Sequence, residues 1–125
     1  MPKLLILFAA INGFLAVALG AFAAHGLETI IAADLLETFG TAVDYHIYHS
    51  LALLGTAVLG FQFPQEKFLR LAGILFLLGI LFFSGSLYLL ALSGVRWLGA
   101  ITPIGGIFFL AAWANLFWFA YKLKS

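Results

Sequence analysis

The sequence predicts an all-α fold: a four-helix transmembrane bundle with one extra amphipathic interfacial helix between the first and second spans. Two observations carry this prediction. Apolar and aromatic residues make up 65% of the 125-residue chain, whereas charged residues make up 9%. Four long apolar runs, each close to the ~20 residues that a helix needs to cross a bilayer, account for most of the length. We therefore expect a single integral-membrane domain and no separate soluble one.

The apolar runs predict membrane spans at about residues 4–24, 41–61, 68–92 and 103–121. The first run is longer than the apolar region of a secretory signal, and further runs follow it, so we interpret it as a span. It has small residues at i, i+4 spacing, at Ala16, Gly20 and Ala24. Such stripes let helix backbones approach closely in lipid, which predicts tight packing and homo-oligomers formed through these faces. Asn12 lies nearby, and we expect it to hydrogen-bond to a partner helix.

Residues 27–40, between the first two spans, have a different pattern. Apolar side chains recur at Leu27, Ile31, Leu35 and Phe39, with acidic residues between them. This spacing predicts an amphipathic helix that is too polar to cross the bilayer. Its charges are all acidic, whereas helices bound to an anionic cytoplasmic surface are rich in Lys and Arg. This indicates that the helix lies at the outer face or docks on the protein itself.

Lysine and arginine residues beside the spans predict the orientation, because cytoplasmic loops carry an excess of them. Five such residues fall on one side of the membrane: Lys3, Lys67, Arg70, Lys122 and Lys124. Only Arg96 falls on the other side. Both termini should therefore be cytoplasmic. We expect Arg96 to pair with an acidic residue on its own side, where the sequence offers Glu28, Asp34, Glu37 and Asp44.

Several function classes lack support in this sequence. The net charge of +1 is small and dispersed, whereas nucleic-acid binding needs a basic stripe. There is no cysteine, so disulfides and thiolate chemistry are excluded. No catalytic motif is present, and a His-x-x-His pair supplies only two of the three or four ligands that a zinc site needs. We expect no enzyme activity, no metal and no cofactor.

The main polar cluster is Asp44-Tyr45-His46-Ile47-Tyr48-His49, where the second span begins. On a helix, His46 and His49 share one face, as do Tyr45 and His49. Ionisable groups inside spans are rare and usually face protein or water, and histidine titrates near neutral pH. One interpretation is a proton or cation path entered from outside. The other is that both histidines are neutral and hydrogen-bond across helices to Ser84, Ser86, Tyr88 or the backbone.

A second polar segment, Thr102-Pro103-Ile104-Gly105-Gly106, predicts a helix start at the outer face. Threonine is a favoured N-cap residue and proline is favoured at the first helical position. The unpaired N–H groups of such a start can bind an anion. The alternative is purely structural punctuation, which we favour.

Five segments together resemble one family: GAFAAHG at residues 20–26, TAVDYHIYH at 41–49, FSGSLY at 83–88, TPIGG at 102–106 and AW at 112–113. In order and spacing they are similar to the YgdD-like bacterial inner-membrane family, domain of unknown function 423. The resemblance implies a small four-span protein of the bacterial plasma membrane, and the family has no established activity. His25 and His49 match its pattern, whereas Ala23 and Ala112 replace glycine and His46 replaces a common glutamine. A position that glutamine can fill does not need a metal ligand.

Two functions of different class follow as hypotheses. In the first, a small transport or ion-conducting protein uses His25, Asp44 and His49 to line a polar path. In the second, a structural or accessory subunit binds a larger membrane complex without transporting anything. The lipid bilayer is the one partner that the composition itself implies, and the sequence does not identify a protein partner.

Overall fold

The computed structural model describes residues 1–124, and the fold is all-α, as predicted. Four long helices make up the bundle: α1 (Pro2–His25), α2 (Ala33–Gln62), α3 (Lys67–Ser93) and α4 (Thr102–Lys122). Short 3-10 turns at Leu27–Thr29 and Arg96–Ala100 connect them at one end. Gly26 ends α1, and Pro103 stands in the first turn of α4, in keeping with the roles of glycine and proline at helix ends.

The segment between the first two spans differs from the sequence prediction. The structure has no separate helix over residues 27–40. A 3-10 turn covers Leu27–Thr29, and residues from Ala33 onward already belong to α2, which continues to Gln62. Phe39, on the apolar face of this segment, is fully buried with Leu27 and Ala91 in a small cluster. The amphipathic pattern therefore marks the half-buried start of a long helix, because its apolar face packs on the protein.

Three of the helical segments are long and apolar enough to cross a membrane, namely Pro2–His25, Lys67–Ser93 and Arg96–Lys122. The second helix, α2, has 30 residues, about 45 Å at 1.5 Å per residue. Its first half carries acidic residues and two histidines, which lower its mean hydropathy. This helix, which the sequence predicts as the second span, is therefore the least apolar of the four long helices.

The main core is formed by residues from all four helices around Phe76 and Phe109, with Leu5 and Ala9 from α1 and Leu53 from α2. Two of the three small residues of the α1 stripe pack within the chain, whereas Ala24 is exposed. Ala16 is fully buried, and a Cβ atom on Gly20 would lie 3.2 Å from Val43 of α2.

The backbones of α3 and α4 approach each other closely at Gly105. A Cβ atom there would lie 2.7 Å from backbone atoms of Phe82 and Phe83, which belong to a π-helical segment, Ile80–Ser84, inside α3. Only glycine lets the α3 and α4 backbones meet at this point.

The two ends of the bundle differ in charge. At the end we call the terminal end, Pro2 lies against Gly60, Phe63 contacts Phe119, and Lys122 reaches Phe68. Both chain termini and the 63–66 loop therefore lie together. At the opposite end, Arg96 joins Asp34.

Candidate functional site

His46 is buried between the helices, with 4% of its surface exposed. The Asn12 side-chain N–H group donates to the Phe8 carbonyl at 2.8 Å, which leaves its Oδ1 atom facing His46 Nε2 at 3.0 Å. A carbonyl oxygen only accepts, so Nε2 donates to it. Nδ1 is then the acceptor for the Tyr88 hydroxyl at 2.8 Å. This residue therefore connects α1, α2 and α3, and the predicted interhelical bond of Asn12 is confirmed.

His49 lies one turn deeper and has 6% of its surface exposed. Its Nδ1 atom is 2.8 Å from the Tyr45 carbonyl, to which it donates. The indole N–H of Trp113 donates to Nε2 at 3.2 Å. The imidazole also stacks on Phe109, with ring centroids 3.5 Å apart. The partners thus require the neutral form with its proton on Nδ1, and they join α2 to α4.

Protonation of both ring nitrogens would affect the hydrogen bonds of the two histidines differently. His46 faces two oxygen atoms, from Asn12 and Tyr88, and both can accept. A protonated His46 therefore keeps both contacts. His49 faces the indole N–H of Trp113, which can only donate. Protonation of His49 would bring two donors together and break that bond.

Of the three α3 residues predicted as histidine partners, only Tyr88 contacts a histidine. The Ser84 hydroxyl is fully buried and donates to the Ala42 carbonyl at 2.8 Å. Ser86 donates to the Phe83 carbonyl at 2.9 Å, so the Thr102 hydroxyl, 2.6 Å away, donates to Ser86. Of the histidine partners that the sequence offered as alternatives, Ser84 and Ser86 are not used, because their hydroxyl groups bind backbone carbonyls and Thr102.

The first residues of α4 contact α3 and line a cleft. Ile101 occupies the N-cap position, so the prediction of Thr102 as N-cap is wrong, and its hydroxyl binds Ser86 instead. Pro103 and Gly106 line a cleft of about 440 Å³ together with Tyr45 and His49. Tyr45 stacks on Phe83 there, with centroids 4.5 Å apart.

His25 and Asp44 are separate from the two buried histidines. His25 is the last residue of α1, and its side chain is exposed. Asp44 is also exposed and lines a groove of about 370 Å³ between α1 and α2 that includes Glu28 and Gly40. Within residues 1–124, no three His, Cys, Asp or Glu residues are grouped to hold a metal ion. The polar residues thus form two groups, one buried and one at the surface.

Arg96 binds Asp34, with 2.8 Å between Nη2 and Oδ2. Asp34 is one of the four acids that the sequence offered, whereas Glu37 is exposed and is not the partner. The Arg96 hydrogen bond lowers the pKa of Asp34 below its ordinary value of 3.8.

Sequence reasoning did not identify two of the residues that contact His49. Phe109 and Trp113 lie 60 and 64 positions after His49 and reach it only through the packing of α4 on α2. Tryptophan in an apolar run predicts a span or a membrane interface, and neither reading indicates a histidine partner.

Many large apolar side chains are exposed on the surface of this helical bundle, and three of its helices are long and apolar enough to cross a membrane, so the class is that of integral-membrane proteins. Residues 19–106 match the family described as Protein of unknown function (DUF423). The UPF0382 membrane protein YwdK of Bacillus subtilis is 46% identical over 89% of this chain and 90% of its own length. The UPF0382 inner membrane protein YgdD of Escherichia coli K12 is 42% identical over 98% of this chain and 92% of its own. No solved structure matches the chain significantly. The protein belongs to the DUF423 family of membrane proteins.

Proposed function

We propose that the protein is a four-span protein of the bacterial inner membrane, with both termini cytoplasmic, and that it serves as a structural or accessory subunit of a larger membrane complex. In this proposal it is neither an enzyme nor a transporter. One observation carries it: both ring nitrogens of His49 are occupied, by the Tyr45 carbonyl and the Trp113 indole.

A proton path through His49 would have to break one of these two bonds at each transfer. The exposed His25 and Asp44 belong to the surface group and do not extend the buried network. The histidines thus support helix association, which in lipid depends on packing and interhelical hydrogen bonds.

The orientation is supported by the charge distribution. Lys3, Lys67 and Lys122 lie at the terminal end, where loop and termini meet, and Arg96 lies at the other end. Positive residues favour the cytoplasmic side. The inner-membrane designation of the Escherichia coli relative supports the location.

Proton conduction is a second candidate, and the His46 contacts favour it. His46 can accept a proton while keeping its bonds to Asn12 and Tyr88. Asn12 is partly exposed on α1, so only this side chain separates His46 from the surface of the bundle.

Reconstitution into liposomes that contain a pH-sensitive dye distinguishes the two candidates. The accessory role predicts proton flux equal to that of protein-free liposomes for the wild type, His46→Leu and His49→Leu alike. It also predicts that extraction of native membranes in mild detergent recovers a partner in fixed stoichiometry. Wild-type flux above background that His46→Leu abolishes would replace the accessory role by conduction.

A further inference from the structure

Two lysines from different helices converge on one aromatic ring at the terminal end. Lys67, the first residue of α3, has its Nζ atom 5.4 Å from the centroid of the Phe68 ring. Lys122, the last residue of α4, has its Nζ atom 5.3 Å from the same ring and 5.4 Å from the Trp118 ring. Cation–π attraction holds both ammonium groups at these positions. The two positive charges repel each other, and an anion that contacts both would offset that repulsion.

Within residues 1–124, no Asp or Glu side chain forms an ion pair with these lysines. Four of the five acidic residues lie in the segment 28–44, at the other end of the bundle. The fifth, Glu66, accepts a hydrogen bond from the Phe68 backbone N–H at 3.3 Å and so caps α3. Among residues 1–124, the one ion pair joins Arg96 to Asp34. Lys67 and Lys122 are both exposed and are therefore open to an external anion.

The surroundings indicate that this anion belongs to a lipid. Trp118 and Tyr121 stack on each other with centroids 5.4 Å apart, and both are exposed. Exposed Trp and Tyr at helix ends mark the headgroup level of a bilayer, and lysine stems extend toward it.

We infer that Lys67 and Lys122, held by Phe68 and Trp118, form a binding site for the phosphate group of an anionic phospholipid. The inference does not depend on the proposed accessory role or on proton conduction. It requires only that the terminal end meets a membrane surface. Inorganic phosphate offers the same chemical group, and the test below separates the two sources.

Native mass spectrometry of the full-length protein, released from micelles with equimolar phosphatidylglycerol and phosphatidylcholine of identical acyl chains, tests the site. The wild type should retain phosphatidylglycerol preferentially. Replacing both lysines, as in Lys67→Gln with Lys122→Gln, should reduce that preference by roughly fivefold for each lysine. The control pair Lys3→Gln with Lys124→Gln removes the same charge at the same end and should leave most of the preference.

Three results would overturn the inference. The first is equal retention of both lipids by the wild type, and the second is an equal loss in the control pair, which would indicate diffuse charge attraction. The third is displacement of phosphatidylglycerol by inorganic phosphate at matched ionic strength, which would identify a soluble anion as the ligand. Lys67→Arg with Lys122→Arg should keep the preference, and all variants should unfold at the wild-type temperature in phosphatidylcholine alone.

Discussion

At the scale of single residues, His46 and His49 have different hydrogen-bond partners, and their neutral rings carry the proton on different nitrogen atoms. His46 has its proton on Nε2 because Asn12 presents a carbonyl oxygen, and His49 has its proton on Nδ1 because Tyr45 does. A buried polar group in lipid costs free energy unless it is paired. Both nitrogen atoms of each ring are therefore paired, and His46 bonds to two other helices whereas His49 bonds to one.

His46→Gln and His46→Leu should have different effects on stability. A glutamine amide has one donor and one acceptor group at its tip, so it can serve Asn12 and Tyr88 as the imidazole does. Leucine leaves both partners unpaired. We expect His46→Gln to be close to wild type and His46→Leu to lose about 1 kcal/mol per broken bond. Reversible unfolding in mixed micelles measures the difference, and equal losses would contradict the pairing described for His46.

At the scale of secondary-structure elements, α3 and α4 are held together at Gly105. The π-helical segment Ile80–Ser84 brings the Phe82 and Phe83 backbone against this glycine. Ser86 and Thr102 are hydrogen-bonded just beyond it. Close backbone approach and hydroxyl bonds are the interactions that stabilise helix pairs in lipid.

Gly105→Ala and Gly106→Ala form a matched pair. The added methyl group at Gly105 would overlap the α3 backbone, so the helices must separate, at a cost of about 1–3 kcal/mol. At Gly106 the structure has no atom within 4 Å of the added group, and alanine is the better helix former. We expect destabilisation only from Gly105→Ala. Thermal unfolding in detergent measures it, and similar melting temperatures for the two variants would count against the close approach.

The first turn of α2 is tied to the 3-10 turn Arg96–Ala100 by the exposed pair Asp34–Arg96. Because Arg96 lowers the pKa of Asp34, the folded protein binds this proton less tightly than the unfolded chain does. The stabilisation is therefore fully present above the unfolded pKa of about 3.9 and is lost as pH falls through the lower folded value.

Asp34→Asn should thus lower the melting temperature slightly at pH 7, since exposed pairs contribute little. The gap from the wild type should close as pH falls below about 4. Melting curves from pH 7 to pH 3 follow it, with Glu37→Asn as the control that removes a neighbouring unpaired acid. A gap that widens at low pH would reverse the assigned sign.

At the scale of the whole molecule, both termini share one end with most of the basic residues. The chain has no cysteine, so single cysteines report topology without background. We expect Val95→Cys in intact cells to react with a membrane-impermeant maleimide, and Lys124→Cys to react only after the inner membrane is opened. The reverse result would invert the proposed orientation.

The sequence predicts the helical class and the number of long helices correctly. Apolar runs of bilayer length indicate the number and type of helices, because lipid requires every backbone group to be paired within its segment. The pattern at residues 27–40 predicts a separate helix, and this prediction is wrong for a physical reason. An amphipathic segment looks the same whether its apolar face meets lipid or, as with Phe39, the protein's own core.

What the sequence alone determined is therefore the all-α membrane class, the family, and the presence of polar residues at the start of α2. Local periodicity and hydropathy suffice for these properties. Only the tertiary structure decided which polar groups meet. In the structure, His46 is hydrogen-bonded to Asn12 and Tyr88, and His49 is hydrogen-bonded to the Trp113 indole. Asp44 lines a different groove. Such contacts depend on the rotation and register of one helix against another, which side-chain packing fixes and linear spacing does not encode.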